Sequence, residues 1–197
     1  MALFQGRRDT TDNDRIPPGQ YLERGFPVLS YGPTPKVDTA AWSLTIDGLV
    51  ENEITLTWDE FLALPPTEKK TDIHCVTRWS KLDTVWQGVL LDELLARAGV
   101  KPEATHIVAS CYGGYTTNLP LADITNGKAM IAHVFDNKPL PAEHGGPARL
   151  FVPHLYFWKS AKWVNRITLL DHDEPGFWEV NGYHNHGDPW TEERYSY

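Results

Sequence analysis

The softest chemistry in the chain lies in Asp72-Ile73-His74-Cys75-Val76-Thr77-Arg78-Trp79-Ser80, which holds one of only two cysteines. A thiol at the end of an apolar strand, entering a turn, has three physical readings. As a thiolate it ligates soft transition metals, with selectivity set by geometry and neighbours. With a cation or base nearby it becomes a nucleophile. Left alone it packs inertly, since free cysteine is among the most buried residue types. Arg78 would favour the thiolate electrostatically; pairing with Asp72 or Asp83 is its plain alternative. Cys111 has apolar flanks and reads as core packing, and the spacing alone does not bring the two cysteines together.

A second group of candidates spans His144-Gly145-Gly146-Pro147-Ala148-Arg149 and Trp158-Lys159-Ser160-Ala161-Lys162-Trp163. Paired glycines let backbone approach a ligand closely, and their free N–H groups suit anions. Arg149 offers a planar fork for a phosphate and Lys162 a point charge. Arg149, Lys159, Lys162 and Arg166 fall within 18 residues with no acidic residue between them, in a chain of net charge −8. Such a basic pocket points to a small anionic ligand, although a solvated basic face would leave the same pattern. No Walker loop or G-x-G-x-x-G is present. His172, His184 and His186 are a third group: rings at 184 and 186 share one face of a strand and could bind zinc or copper. The competing and preferred reading makes them polar residues of an aromatic tail.

The elements that must position these groups are short. Alternation predicts a strand over 42–50 and another over 54–56. Thr57 and Glu60 form a capping box for a short helix ending before Pro65-Pro66. Residues 70–77 read as a strand carrying Cys75 near its end. Leu90, Leu91, Leu94, Leu95 and Ala98 keep helical spacing up to Gly99. Further strands are expected over 105–111, 129–135, 148–152 and 163–170. Residues 1–40 form an irregular lead-in whose Tyr21, Phe26, Val28, Leu29 and Tyr31 suit a segment wrapping the body; residues 41–197 form the single domain. The expected class is α+β, mostly β, with mixed sheets and a few short helices.

Composition fits that class: 41% apolar and 12% aromatic residues, with 8 Trp, 8 Tyr, 15 Pro and 15 Gly, suit a rigid β-rich body. The acidic balance disfavours a nucleic-acid surface. No apolar run reaches the roughly 18 residues of a membrane span. Arg7-Arg8 are followed by polar and acidic residues, so no export signal is expected and the setting is taken as cytoplasmic and reducing.

The motifs become specific together. Cys75 within His74-Cys75-Val76-Thr77-Arg78-Trp79-Ser80, then Trp86-x-Gly88, Gly114-Tyr115-Thr116, His144 to Leu150 and Trp158 to Trp163 occur in an order and spacing that resemble the sulfite-oxidase-like family of molybdopterin-dependent oxidoreductases. Pro175 to Trp178, Gly182 to His184 and Gly187 to Trp190 are similar to the closing segment of its short prokaryotic members, so the likeness runs over about residues 15–195. Arg78 departs from the pattern, standing where a small residue is frequent.

That resemblance implies the sulfite-oxidase-type molybdopterin-binding fold and one molybdenum held by a single pterin dithiolene and one protein cysteine, Cys75. It implies pterin or phosphate contacts from Thr116, His144, Arg149, Ser160, Ala161 and Lys162, with Arg15 and the Tyr31 neighbourhood covering the cofactor. The implied activity is two-electron oxygen-atom transfer on a small oxo-substrate, by sulfite-type oxidation or sulfoxide- or N-oxide-type reduction. Arg78 joins Cys75 as a candidate catalytic residue. No haem or iron–sulfur motif is present, so electrons are expected to pass through a separate protein or carrier. Three rivals remain: a zinc or copper protein, a cysteine hydrolase using Cys75, and a non-catalytic module on the same fold.

Overall fold

The computed structural model describes residues 13–196, so Arg7 and Arg8 lie outside the described residues. Two mixed sheets form the body, as the α+β, mostly β reading requires. In β2 (Ser43–Gly48), Leu44 and Ile46 are buried while Ser43 and Thr45 are half-buried, the period-two pattern of a strand over a core. β2 pairs antiparallel with β3 (Ile54–Thr57) and parallel with β11 (Val164–Leu170). β11 continues to β6 (His106–Cys111) and thence to β7 (Thr116–Pro120), giving five strands. The capping box forms: Thr57 Oγ1 accepts from the Glu60 N–H, and the Glu60 carboxylate accepts from the Thr57 N–H, opening α1 (Trp58–Leu62). Helix α2 (Leu91–Ala98) buries Leu91, Leu94, Leu95 and Ala98 and ends at Gly99, whose φ is 70°.

The other sheet is built on β5 (Trp79–Leu90), which pairs antiparallel with β4 (Thr67–His74) and parallel with β1 (Tyr21–Leu22). Across its far edge β5 meets β8 (Met130–Phe135), which is flanked by β9 (Lys138–Pro139) and β10 (Arg149–Phe151). Apolar alternation does not mark β5, because it buries polar groups that are satisfied internally. Ser80 Oγ bonds the ring of His74 at 2.8 Å, and Thr84 Oγ1 accepts from Trp86 Nε1 at 2.9 Å. Gly88 sits at a shift of register between β5 and β8, where a Cβ would collide with the Ile131 carbonyl. β4 ends at His74 rather than Thr77, so Cys75 is a turn residue rather than part of the strand.

Two apolar clusters result, one between the five-stranded sheet and α2, the other around Trp79, Trp86 and Phe151. Cys111 belongs to the first and Cys75 to the second; both are free thiols. Trp86 is fully buried and stacks on Phe151 with ring centroids 4.3 Å apart.

After β11 the chain holds itself to the body through side chains. The short helix α3 (Phe177–Val180) is tied down by Glu179, whose carboxylate is 2.6 Å from Lys159 Nζ, both side chains being fully buried. Asn118 Nδ2 donates to Asp173 and Asn185. His186 lies between Asp123 at 3.2 Å and Glu193 at 2.8 Å, and His184 shares Glu193 at 3.4 Å. His172 is exposed beside Asp171. Among the described residues no group of three or more His, Cys, Asp or Glu side chains is arranged to hold a metal ion, which leaves the zinc or copper reading without a site there. No helix among them is long and apolar enough to cross a membrane.

The hydrogen bond with Asp123, followed by that with Glu193, outweighs burial and raises His186 to about 9. A histidine whose charged form is favoured by folding stabilises fully below its unfolded value and loses that contribution as pH rises through the folded one. The thermal unfolding midpoint is therefore expected to fall between about pH 6.5 and 9. In His186→Gln that part of the fall is absent. Parallel curves for the two proteins would refute the assignment.

Candidate functional site

Cys75 opens the turn between β4 and β5. Its N–H donates to Trp79 O at 2.9 Å and its carbonyl accepts from the Arg78 N–H at 3.0 Å. Closing so tight a turn forces Arg78 to φ 77°, the left-handed region where a glycine would sit without strain. The turn is gripped from both ends of the chain. Gln20 Nε2 donates to Cys75 O at 3.0 Å, and the nearly buried Arg194 donates to Val76 O at 2.8 Å and Pro18 O at 3.2 Å. Cys75 is 7% exposed, and burial pushes the pKa of its thiol up, partly offset by hydrogen bonds from Thr77 and Val76 and by the charge of Arg194. Among the described residues no histidine hydrogen-bonds Cys75, so the pair that a cysteine hydrolase needs is absent there.

Cys75 opens onto a cavity of about 290 Å³. Aromatic rings dominate its walls: Phe26, Tyr31, Trp79, Tyr115, Phe157, Trp158, Trp163, Trp178 and Tyr183. Among the described residues, Arg149 and Lys162 are the only cations of the lining, and no carboxylate belongs to it. Arg149 is 1% exposed; its Nη1 donates to His144 O at 2.8 Å, its Nη2 to Ser160 O, and its guanidinium lies 4.1 Å from the Phe157 ring centroid. Burial lowers Arg149 to about 9 and, with the charge of Arg149 next, lowers Lys162 to about 7. Both shifts record cations held out of water without an anion. Gly145 lets the segments close up: at φ 108° its absent Cβ would lie 3.0 Å from Arg149 Cβ and 3.1 Å from Lys162 Cα.

His144 is buried and lies flat against Phe26, centroids 3.7 Å apart with 4° between planes. Burial, then the charge of Arg149, lowers it to about 4, so its ring is neutral near pH 7. Among the described residues neither its Nδ1 nor Trp79 Nε1 has a hydrogen-bond partner, although both atoms are buried. Ser160 is anchored through its hydroxyl, which accepts from the Val152 N–H at 2.9 Å. The backbone N–H groups of Ala161 and Lys162 have no acceptor among the described residues.

Six of the sequence candidates thus meet around one cavity: Cys75, His144, Arg149, Ser160, Ala161 and Lys162. Arg78 and Thr116 are not in its lining. Arg78 is exposed, and in place of Thr116 its neighbour Tyr115 faces the cavity, with its hydroxyl donating to Trp158 O at 2.8 Å. The basic run divides: Lys159 pairs with Glu179 and Arg166 with Asp47, leaving two of the four cations at the cavity. Arg15 is likewise committed elsewhere, to Asp72 at 2.6 Å and Asp83 at 3.2 Å. Thr77, Trp178 and Tyr183 also line the cavity; each falls within a motif that carries the resemblance, but none is among the contacts that the resemblance implies.

The profile of the oxidoreductase molybdopterin binding domain matches residues 31–178. The chain belongs to that family. Of its relatives, the uncharacterized oxidoreductase YuiH of Bacillus subtilis is 44% identical over 98% of each chain. The catalytic subunit MsrP of a protein-methionine-sulfoxide reductase from Gluconobacter oxydans is 31% identical over 70% of this chain, which spans about half (49%) of that relative. Among solved structures, the sulfane dehydrogenase SoxCD of Paracoccus pantotrophus superposes with a TM-score of 0.65 at 26% identity, covering 71% of this chain and 41% of that one. The molecule is therefore a molybdopterin-binding oxidoreductase of the sulfite-oxidase-like kind.

The cavity suits the group from which the family takes its name. One soft sulfur, two cations lacking an anion, unpartnered N–H groups at Ala161 and Lys162 and orphaned nitrogens on His144 and Trp79 are the complement of an anionic, heteroatom-rich ligand. Because Arg194 fixes the sulfur-bearing turn with two charge-assisted hydrogen bonds from a buried position, Arg194→Ala is expected to cost about 2–4 kcal/mol. Urea unfolding of the cofactor-free protein measures this, and a loss below about 0.5 kcal/mol, the size of an ordinary surface substitution, contradicts it.

Proposed function

We propose that this oxidoreductase removes an oxygen atom from a small, uncharged S-oxide or N-oxide, with molybdenum held by Cys75 Sγ and one pterin dithiolene. When bound, the molybdenum–pterin group supplies two-electron oxygen-atom transfer. In the net reaction a sulfoxide takes up two electrons and two protons, its sulfur–oxygen bond breaks, and the products are the sulfide and one water. The electrons are delivered by a separate protein or small carrier.

In this reading Lys162, with the backbone N–H groups of Ala161 and Lys162 itself, receives the cofactor's phosphate, and Ser160 fixes that backbone through its bond to Val152. Arg149 supplies the buried positive charge, and neutral His144 offers its free ring nitrogen to the pterin. Arg78 and Thr116 do not line the cavity and receive no contact with the substrate.

The observation that carries the direction of transfer is the charge of the lining. In this reading its two cations are both engaged by the cofactor, and the remaining walls are mainly aromatic. An oxyanion such as sulfite would be desolvated there without a counter-charge, whereas a neutral sulfoxide buries its apolar arms against the rings. The name of the Gluconobacter relative, a methionine sulfoxide reductase, supports the same direction.

Protein produced with molybdate is expected to carry about one molybdenum per chain by mass spectrometry. Cys75→Ser should fold but lose at least about 100-fold in turnover, because a hydroxyl is a poor substitute for a thiolate donor. With reduced viologen as donor for methyl phenyl sulfoxide and ferricyanide as acceptor for sulfite, kcat/KM for sulfoxide reduction should exceed that for sulfite oxidation by more than about tenfold. Faster sulfite oxidation would reverse the direction proposed, and full activity in Cys75→Ser would end the metal-ligand role.

A further inference from the structure

The turn that presents Cys75 also brings a second side chain onto its sulfur. Thr77 lies two residues on, and Thr77 Oγ1 donates to Cys75 Sγ across 3.1 Å. This is the only hydrogen bond of that hydroxyl among the described residues, although Thr77 is exposed and borders the cavity. Exposed threonine hydroxyls ordinarily face water or cap backbone groups. This one is aimed inward by the tight turn that Arg78 closes, and Arg194 prevents the turn from opening by holding Val76 O. The donor is therefore held in place relative to the sulfur by neighbours at both ends of the chain.

We propose that Thr77 is a positioning residue that sets the reduction potential of the bound metal by donating its hydroxyl hydrogen to Cys75 Sγ. This rests on Cys75 being the metal ligand. A hydrogen bond to a ligating thiolate withdraws electron density from sulfur, and so weakens its donation to the metal. The electron-rich, reduced metal gains more from that withdrawal than the oxidised one, so the bond raises the potential. No other side chain hydrogen-bonds Sγ among the described residues, and the neighbouring backbone N–H groups survive any substitution at 77.

Wild type, Thr77→Val and Thr77→Ser are produced with molybdate, assayed for molybdenum, and titrated potentiometrically while the metal is followed by electron paramagnetic resonance. Valine keeps the shape of threonine without the donor; serine keeps the donor without the methyl. The potential of Thr77→Val is expected to shift to a more negative value, while Thr77→Ser stays near wild type, with thermal unfolding unchanged in both. A Thr77→Val protein that titrates at the wild-type potential overturns the role of Thr77 and leaves Cys75 as the ligand. A wild type that takes up no molybdenum overturns both.

Discussion

A guanidinium walled off from water with no carboxylate to answer it is the constraint around which this molecule is arranged. Arg149 is 1% exposed, and its partners are the backbone carbonyls of His144, Leu150 and Ser160 and the face of Phe157. Burying an ion without a counter-ion costs several kcal/mol even after relaxation. Lys159, ten residues further on, shows how the same chain treats an equally buried cation that serves structure: it is fully buried against Glu179 at 2.6 Å. The difference between the two is what a site for an anionic ligand requires. One cation is satisfied by the fold, and the other has no counter-charge among the described residues.

The sulfur and the cations reach the cavity by different routes, and this explains why so much of the chain is needed to make a small site. The sulfur arrives on a hairpin of the sheet centred on β5, fixed by Gln20 near one end of the chain and Arg194 near the other. Arg149 begins β10 at the far side of that sheet. Lys162 and Trp163 sit where the chain crosses toward β11 in the second sheet, with Trp163 at φ 58° and its Nε1 held by Ala142 O at 2.7 Å. That left-handed conformation is unfavourable for a tryptophan and persists only where its surroundings over-determine it. Both sheets thus contribute to the cavity, and both must be formed before it exists.

Patterns that repeat locally were legible in the sequence, and faces chosen by long-range pairing were not. The capping box at Thr57, the stripe of α2 and the alternation in β2 are local rules, and the structure follows them. Alternation does not reveal β5 because its buried Ser80 and Thr84 are satisfied by His74 on one side and by Trp86 and Thr71 on the other, where a plain strand would bury apolar residues. Thr116 and Tyr115 differ by a single position, but at the start of a strand one position is the difference between faces, and only pairing with β6 decides which side chain turns toward the cavity. The basic run reads as one patch because sequence distance hides direction: Arg166 finds Asp47, 119 residues away in sequence but on the neighbouring strand β2 of its own sheet. Cys75, His144, Arg149 and Lys162 were recoverable through the order of their motifs, whereas Phe26 and Tyr183 depend on where the termini are packed.

Lys162 shows how closely the site is bound to the segment that crosses it. An ammonium has three N–H bonds, and here all three are used: Leu29 O and Ser30 Oγ at 2.7 Å each, and Glu143 O at 2.6 Å. All three acceptors are neutral, so they replace water without neutralising the charge, which is why burial still lowers the amine to about 7. A phosphate at this amine would exchange at least one of these weak acceptors for a strong one, and would return the lysine toward its ordinary basicity. Two of the three acceptors belong to the stretch from Phe26 to Tyr31, whose Phe26 lies on His144 and whose Tyr31 lies on Phe177. A phosphate bound there would therefore share with that stretch the one ammonium group that helps to place it.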